Sequence, residues 1–281
     1  MVRTFNNKGI IGAIERLTAI NEISHIVVAV NTDFENRGEK DGAFTKRLIN
    51  SASGLKSNPK VVIHPVANWG KNVGSAAALN DAVTEIFYRL GRLPTERDII
   101  FSVSVESWIK AGYIREALKF FETHDDLAVI GIKRKIIIGD DKESKALEAK
   151  FQKTVLQYRI PQNTMALWRA DLLRLAGSFR TECDFSGLTE KIDGQQVPVA
   201  GMDDFPTLLF LVRLGYRWAI IGKKNPVVWD LSEVKKDPQR WQMNLNKMNR
   251  QEKVIGIWAQ KFHCLSIREA VEILKRGQLN L

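Results

Sequence analysis

Cysteine is nearly missing from this chain: Cys183 and Cys264 are the only 2 in 281 residues, too few and too far apart for a disulfide framework or a thiolate metal cluster. Two reduced cytosolic thiols are the expectation. Long apolar runs are missing too. Runs such as Leu208 to Val212 and Ile136 to Ile138 fall far short of the ~20 residues that a membrane-spanning helix needs. The opening Met-Val-Arg-Thr-Phe-Asn-Asn has no apolar stretch of the kind a secretory leader carries, so no leader is expected. Internal repeats and low-complexity tracts are also lacking, which argues against solenoids and linker-like disorder.

What the chain does contain is a globular mixture, 44% hydrophobic and 26% charged, enough for one large α/β domain or two small ones. Its net charge of +10, from 42 basic against 32 acidic residues, bears on partners and not on fold. It suits anionic small molecules and membrane phosphates. No nucleic-acid motif accompanies the dispersed basic residues, so nucleic acid is not an expected partner.

Apolar periodicity alternates between two kinds. Residues 7–19 place Ile10, Ile11, Ile14 and Leu17 on one helical stripe, and residues 25–30 read as a buried strand. Helices are expected over 43–52, 74–90 and 112–123, with strands over 61–66, 98–105 and 127–132. This is the βαβ rhythm of a mostly parallel, doubly wound sheet. Beyond Ile132 the rhythm loosens. Residues 142–153 read as a charged helix, 165–168 as a strand entering a short helix over 170–176, and 179–197 as a long loop. An apolar helix over 203–214 and a strand over 218–221 follow, and helices dominate from Asp237 onward, including 241–262 and 266–275. Pro226 marks the expected boundary between a core over 1–225 and a helical carboxyl-terminal extension over 226–281.

In an open parallel sheet, ligands bind beyond the carboxyl ends of the strands, at the topological switch point. Thr4 to Asn6, Asn31 to Asp33 and Ser104 to Glu106 fall at such ends. Gly74 lets the backbone come close to a ligand where the next helix begins, aiming helix N–H groups at an anion. The alternative is that Asn72, Ser75 and Asn80 only cap and pack that helix. Asp203 and Asp204 open the apolar helix, where the helix dipole favours them. Side by side they repel, so one can hold a raised pKa suited to accepting a proton.

Three stretches, in this order, resemble the family 2 inverting glycosyltransferases. Val2-Arg-Thr-Phe-Asn-Asn-Lys8 is similar to the family's strand end Pro-Thr-Tyr-Asn. Asn72-Val-Gly-Ser-Ala-Ala-Ala-Leu-Asn80 is similar to Asn-x-Gly-x-x-x-Ala-Arg-Asn, with Leu79 in place of the usual Arg. Gly201-Met-Asp-Asp-Phe205, leading into Gly215-Tyr216-Arg217, is similar to the Glu-Asp dipeptide and its helix. The family's Asp-x-Asp falls on Ser104 and Glu106, a degenerate motif with one carboxylate of two; a shift of one residue puts Val103 and Val105 there instead.

The resemblance implies a GT-A (Rossmann-like), mixed, mostly parallel sheet flanked by helices. Residues 1–225 would then bind a nucleotide-diphosphate sugar and transfer the sugar, with inversion, to a hydroxyl of a glycan, lipid or small molecule. By resemblance Asp204 is the base and Asp203 orients the acceptor, while Thr4, Asn6, Asn31, Asp33, Asn72, Gly74 and Ser104 hold the nucleotide. Mg2+ or Mn2+ would fall to Glu106 and Asp230, Asp230 having a cap on the turn 230–233 as its alternative role. His263, in the tail, reads as a helix-end or packing residue. The competing reading is a catalytically silent GT-A-like module that binds a nucleotide or a protein partner. A nucleotidyltransferase is disfavoured, because Phe5-Asn6-Asn7-Lys8 is not a Gly-rich loop. The expected location is the cytoplasm, with the basic tail, Lys235 to Lys253, a candidate for the inner face of the membrane or for a homodimer interface.

Overall fold

The computed structural model describes residues 2–4, 10–30, 60–65, 75–104, 107, 109–158, 160–161, 165–178, 189–192, 195–198, 204–238, 241–242, 245, 249 and 251–281. The amino-terminal half alternates as its periodicity predicts. Strand β1 (Val2–Thr4) precedes helix α1 (Ile10–Thr18), then come β2 (His25–Val30) and β3 (Lys60–Pro65). Helix α2 (Ser75–Leu90), β4 (Ile99–Ser104), α3 (Ala111–Thr123) and β5 (Leu127–Ile132) follow. In α1, Ile10, Ala13, Ile14 and Leu17 recur every three or four positions and are all buried, while Glu15 stays in water. In β5 all six residues are buried, the mark of a strand covered on both faces. The helix expected over 43–52 lies outside the described residues.

The second half contains β6 (Arg134–Ile137), α4 (Lys142–Tyr158), β7 (Met165–Arg169), α5 (Ala170–Leu175), β8 (Thr189–Ile192) and β9 (Gln195–Pro198). Then come α6 (Asp204–Arg213), β10 (Arg217–Ile221), β11 (Val227–Asp230), α7 (Ser232–Lys235), α8 (Gln251–Lys261), α9 (Ile267–Arg276) and β12 (Gln278–Leu279). Residues 179–197 are not loop throughout, as their composition suggests. Strands β8 and β9 pair antiparallel, and the sequence between them is Asp193-Gly194, the dipeptide that two-residue hairpin turns favour.

Eight strands form one sheet in the order β12-β10-β5-β7-β4-β1-β2-β3. Neighbours run parallel except at β7, which is antiparallel to both β4 and β5. Chain order reverses at β1, with β2 and β3 on one side and β4 on the other, so the switch point lies between β1 and β4. Side chains alternate across the sheet: Val27 joins one core with Leu79, Trp168, Phe205 and Trp258, whereas Ile26 and Val28 join the other with Ile14, Ile114 and Phe121.

The carboxyl-terminal helices belong to the first of these cores. Val254, Trp258, Ala270 and Leu274 are buried in it, and the buried Trp218 indole N–H donates to the Leu274 carbonyl at 2.8 Å. The apolar stripe of α8 is therefore spent on packing, leaving Lys253 and Lys261 exposed. His263 sits in a left-handed turn just past α8, its N–H on Gln260.

A second, two-stranded parallel sheet pairs β6 with β11 beside a small core of Ile136, Ile138, Phe151, Leu231 and Val234. Helix α4 covers the edge of β6 with side chains that stand in for a strand. Gln152 accepts from Ile136 N–H and donates to the Arg134 carbonyl, and Glu148 accepts from the N–H groups of Ile138 and Gly139.

Backbone approaches closely where β5 passes the segment ahead of β7. A Cβ added to Gly131 would stand 2.9 Å from the Pro161 Cα, a backbone atom that cannot rotate away. Gly131→Ala is expected to cost about 1–3 kcal/mol through overpacking and to lower the melting temperature by several degrees. A thermal melt matching that of the parent would show that this contact relaxes.

Candidate functional site

Two of the residues expected to hold a nucleotide, Thr4 and Ser104, end neighbouring strands at the carboxyl edge of the sheet. Thr4 ends β1 and is opposite Val30, the last residue of β2; Arg3 is opposite Ser104, the last residue of β4. Thr4 and Ser104 therefore end neighbouring strands one residue apart in register, flanking the switch point. Asn6, Asn31, Asp33, Asn72, Gly74, Glu106 and Asp203 lie outside the described residues.

Asp204, the expected base, is among the described residues. It opens α6, where unpaired helix N–H groups and the dipole favour a carboxylate, and it is 4% exposed. Its negative charge acts on Arg134, which opens β6 just beyond the carboxyl end of β5. The Arg134 guanidinium is buried, and burial pushes its pKa down to about 10 while Asp204 acts in the opposite direction. It stays charged at neutral pH.

Arg134 also meets an aromatic ring. Its Cζ lies 4.4 Å above the ring of Trp229 in β11, a stacking worth ~2 kcal/mol or more once both groups are desolvated. Ser107, three residues past the end of β4, forms an antiparallel bridge with Trp229. Contacts thus run from the exit of β4 through Trp229 to Arg134, on which the charge of Asp204 acts. The Ser107 hydroxyl and the Trp229 indole N–H are buried with no hydrogen-bond partner among the described residues.

Asp230 ends β11 opposite Ile137, and its Oδ1 accepts from the Ser232 N–H at 2.9 Å, capping the first turn of α7. One of its two oxygens is thus engaged. Among the described residues no three His, Cys, Asp or Glu side chains are grouped to hold a metal. On the sheet's far flank, the Tyr113 hydroxyl donates to the Asn225 carbonyl in the turn between β10 and β11. That turn passes through Gly222 at φ 73°, where a Cβ would also press on the Tyr113 ring at 3.2 Å.

Arg134, Trp229 and Ser107 are candidate site residues that motif reading missed. A signal for the first was present: in Arg134-Lys135-Ile136-Ile137-Ile138 the strand period of two puts Arg134 on the face of Ile136 and Ile138, both buried. A cation sharing a face with two core isoleucines is an inward-facing cation.

The doubly wound sheet and its flanking helices make a GT-A-like, Rossmann-type α/β fold. A solved structure similar to it is the mannosyltransferase PcManGT from Pyrobaculum calidifontis in complex with GDP-Man and Mn2+, with a TM-score of 0.56 and 14% identity over 98% of this chain and 72% of that one. No family model and no curated protein matches the sequence. No described helix is long and apolar enough to cross a membrane.

Proposed function

We propose that this protein is a glycosyltransferase that moves a sugar from a nucleotide-diphosphate donor to a hydroxyl acceptor with inversion. The observation that carries the reading is Asp204, a buried carboxylate at the start of α6 whose charge acts on the buried Arg134. The fold shared with a GDP-mannose-bound mannosyltransferase supports it.

In this reading the acceptor oxygen attacks the anomeric carbon as the bond from that carbon to the diphosphate oxygen breaks. Asp204 takes the acceptor's proton, Asp203 orients the acceptor, and the nucleoside diphosphate leaves on the opposite face. Thr4, Asn6, Asn31, Asp33, Asn72, Gly74 and Ser104 hold the nucleotide. A divalent cation, Mg2+ or Mn2+, would be held by Glu106 and the free oxygen of Asp230 and would supply charge neutralisation at the diphosphate. Lys71 is the alternative source of positive charge there.

Titration calorimetry with GDP and UDP, with and without Mn2+, tests the proposal. A Kd below about 100 µM, tightened about tenfold by Mn2+, is the expected outcome. No nucleotide binding in either condition would sink it. Ser104 at a position that the family fills with an acid favours the silent nucleotide-binding module as the second reading. Binding that ignores Mn2+, without turnover of any nucleotide sugar, would select that module. Membrane contact through the tail and homodimer formation stay as proposals, the first weakened by the burial of Val254 and Trp258.

A further inference from the structure

The carboxyl pole of the sheet carries a set of lysines that the transfer chemistry does not use. Ala166 of β7 is opposite both Ser102 of β4 and Gly131 of β5. Two residues further on, Ser104 and Lys133 are therefore at one level, two strand spacings or ~10 Å apart. The backbone fixes Lys133 there: its N–H donates to the Ile221 carbonyl at the end of β10, and its carbonyl accepts from Val227 at the start of β11. Lys224 lies in the turn between those two strands. Tyr113 holds that turn through the Asn225 carbonyl, and the Tyr113 N–H donates in turn to the carbonyl of Lys110, just ahead of α3. Lys135 is opposite Val228 and, by the strand period, leaves β6 on the side away from the buried Arg134.

Lys110, Lys135 and Lys224 are exposed and Lys133 is half-buried. None of the four makes a side-chain hydrogen bond or ion pair with a described residue. Lys223, in the same turn, is engaged by the Leu281 carbonyl at 3.3 Å and does not join them. The arginines beside the set are engaged as well, Arg115 by Glu22 at 3.2 Å and Arg134 by Trp229. Among the described residues the acids of these segments are Glu116, one turn further into α3, and Asp230, which caps α7.

Four like charges gathered without counter-charges repel one another, and an anionic partner relieves that repulsion. Each is an ammonium, a hydrated point charge; the guanidinium forks that grip a single phosphate are occupied elsewhere. The set therefore suits a partner that presents many anionic groups over a broad area. Bases need open rings to stack on, and the described aromatics of these segments, Tyr113 and Trp229, are partly buried, one against the turn and the other beneath Arg134. That disfavours single-stranded nucleic acid.

We propose that this pole docks on a membrane surface of anionic lipid through Lys110, Lys133, Lys135 and Lys224. Lipid headgroups offer negative charge all across a plane, which matches separate ammonium groups borne on three segments. Docking turns the edge where Thr4 and Ser104 end their strands toward the lipid. On the transferase reading the acceptor is then a hydroxyl carried in the bilayer; the docking itself does not depend on that reading.

Flotation of the full chain with phosphatidylcholine vesicles containing about 30% phosphatidylserine tests the proposal. The protein is expected to float with them at ~50 mM NaCl, to stay behind with pure phosphatidylcholine, and to come off at ~0.5 M NaCl. Replacing the four lysines by glutamine is expected to lower the partition coefficient about fivefold per lysine, roughly several hundredfold in all. Because Lys133 is half-buried, a companion variant keeps it and carries Lys110→Gln, Lys135→Gln and Lys224→Gln, with an expected loss of roughly a hundredfold. Glutamine at Lys236, Lys253, Lys261 and Lys275 changes the net charge equally within the carboxyl-terminal extension and is expected to cost less than about fivefold. An equal loss in that variant, or no flotation of the parent, would overturn docking through this pole. Retention of a labelled single-stranded RNA at a salt concentration that strips the protein from vesicles would overturn the bilayer as the occupant. Every readout is binding, so failure of the transferase reading leaves the result interpretable.

Discussion

Asp204→Asn is expected to lower sugar transfer about a thousandfold while GDP binding changes less than about threefold. The substitution keeps the shape of the side chain and removes the oxygen that accepts the acceptor's proton. An inverting displacement offers no covalent detour around that loss, because the proton must leave as the new bond forms. Donor binding depends on other groups at the switch point, so the nucleotide affinity should persist. Asp204 also neutralises the buried Arg134, and the amide cannot. A loss of stability therefore accompanies the kinetic loss and has to be separated from it. Single-turnover rates measured on protein shown to be folded by circular dichroism make that separation. Asp204→Glu serves as the companion variant: it keeps the charge beside Arg134 but displaces the carboxylate by one methylene, so it should restore stability and leave the rate depressed. Transfer by Asp204→Asn within tenfold of the parent would remove Asp204 from the base role.

How far the sequence could be read depended on how local each signal was. The buried stripe of α1, the six apolar residues of β5 and the apolar helix opened by Asp204 are local patterns, and each element lies within a few residues of its expected bounds. The direction of β7 is not local. Its residues are apolar on both faces whichever way the strand runs, and only the path of the chain through α4 makes it antiparallel. Strand β12 is two residues, Gln278 and Leu279, with no pattern of its own; it exists because α9 delivers it to the edge of β10. The β8–β9 hairpin was legible through Asp193-Gly194, and polar composition concealed it. At the site, the cap made by Asp230 was one of two readings open for that residue, whereas the role of Trp229 needs three separate segments to meet.

Arg134→Met should cost about 3–5 kcal/mol, because it strands Asp204 as a buried charge with its compensation removed. Asp204→Leu should cost a similar amount for the mirror-image reason. The double variant, with both charges replaced by apolar groups of similar volume, should recover most of the loss and lie within about 2 kcal/mol of the parent. Both residues are buried, so solvent screening does not dilute the pair. Urea unfolding of the four proteins closes the cycle. Stacking on Trp229 is lost in both Arg134 variants and so cancels from the coupling energy. Arg134→Lys isolates that stacking: the charge beside Asp204 remains and the planar face is gone, so a loss near ~2 kcal/mol is expected. Strict additivity of the two single losses would mean that Asp204 draws its compensation from elsewhere. The carboxylate proposed to take the acceptor's proton would then be held by the dipole of α6 and not by the cation.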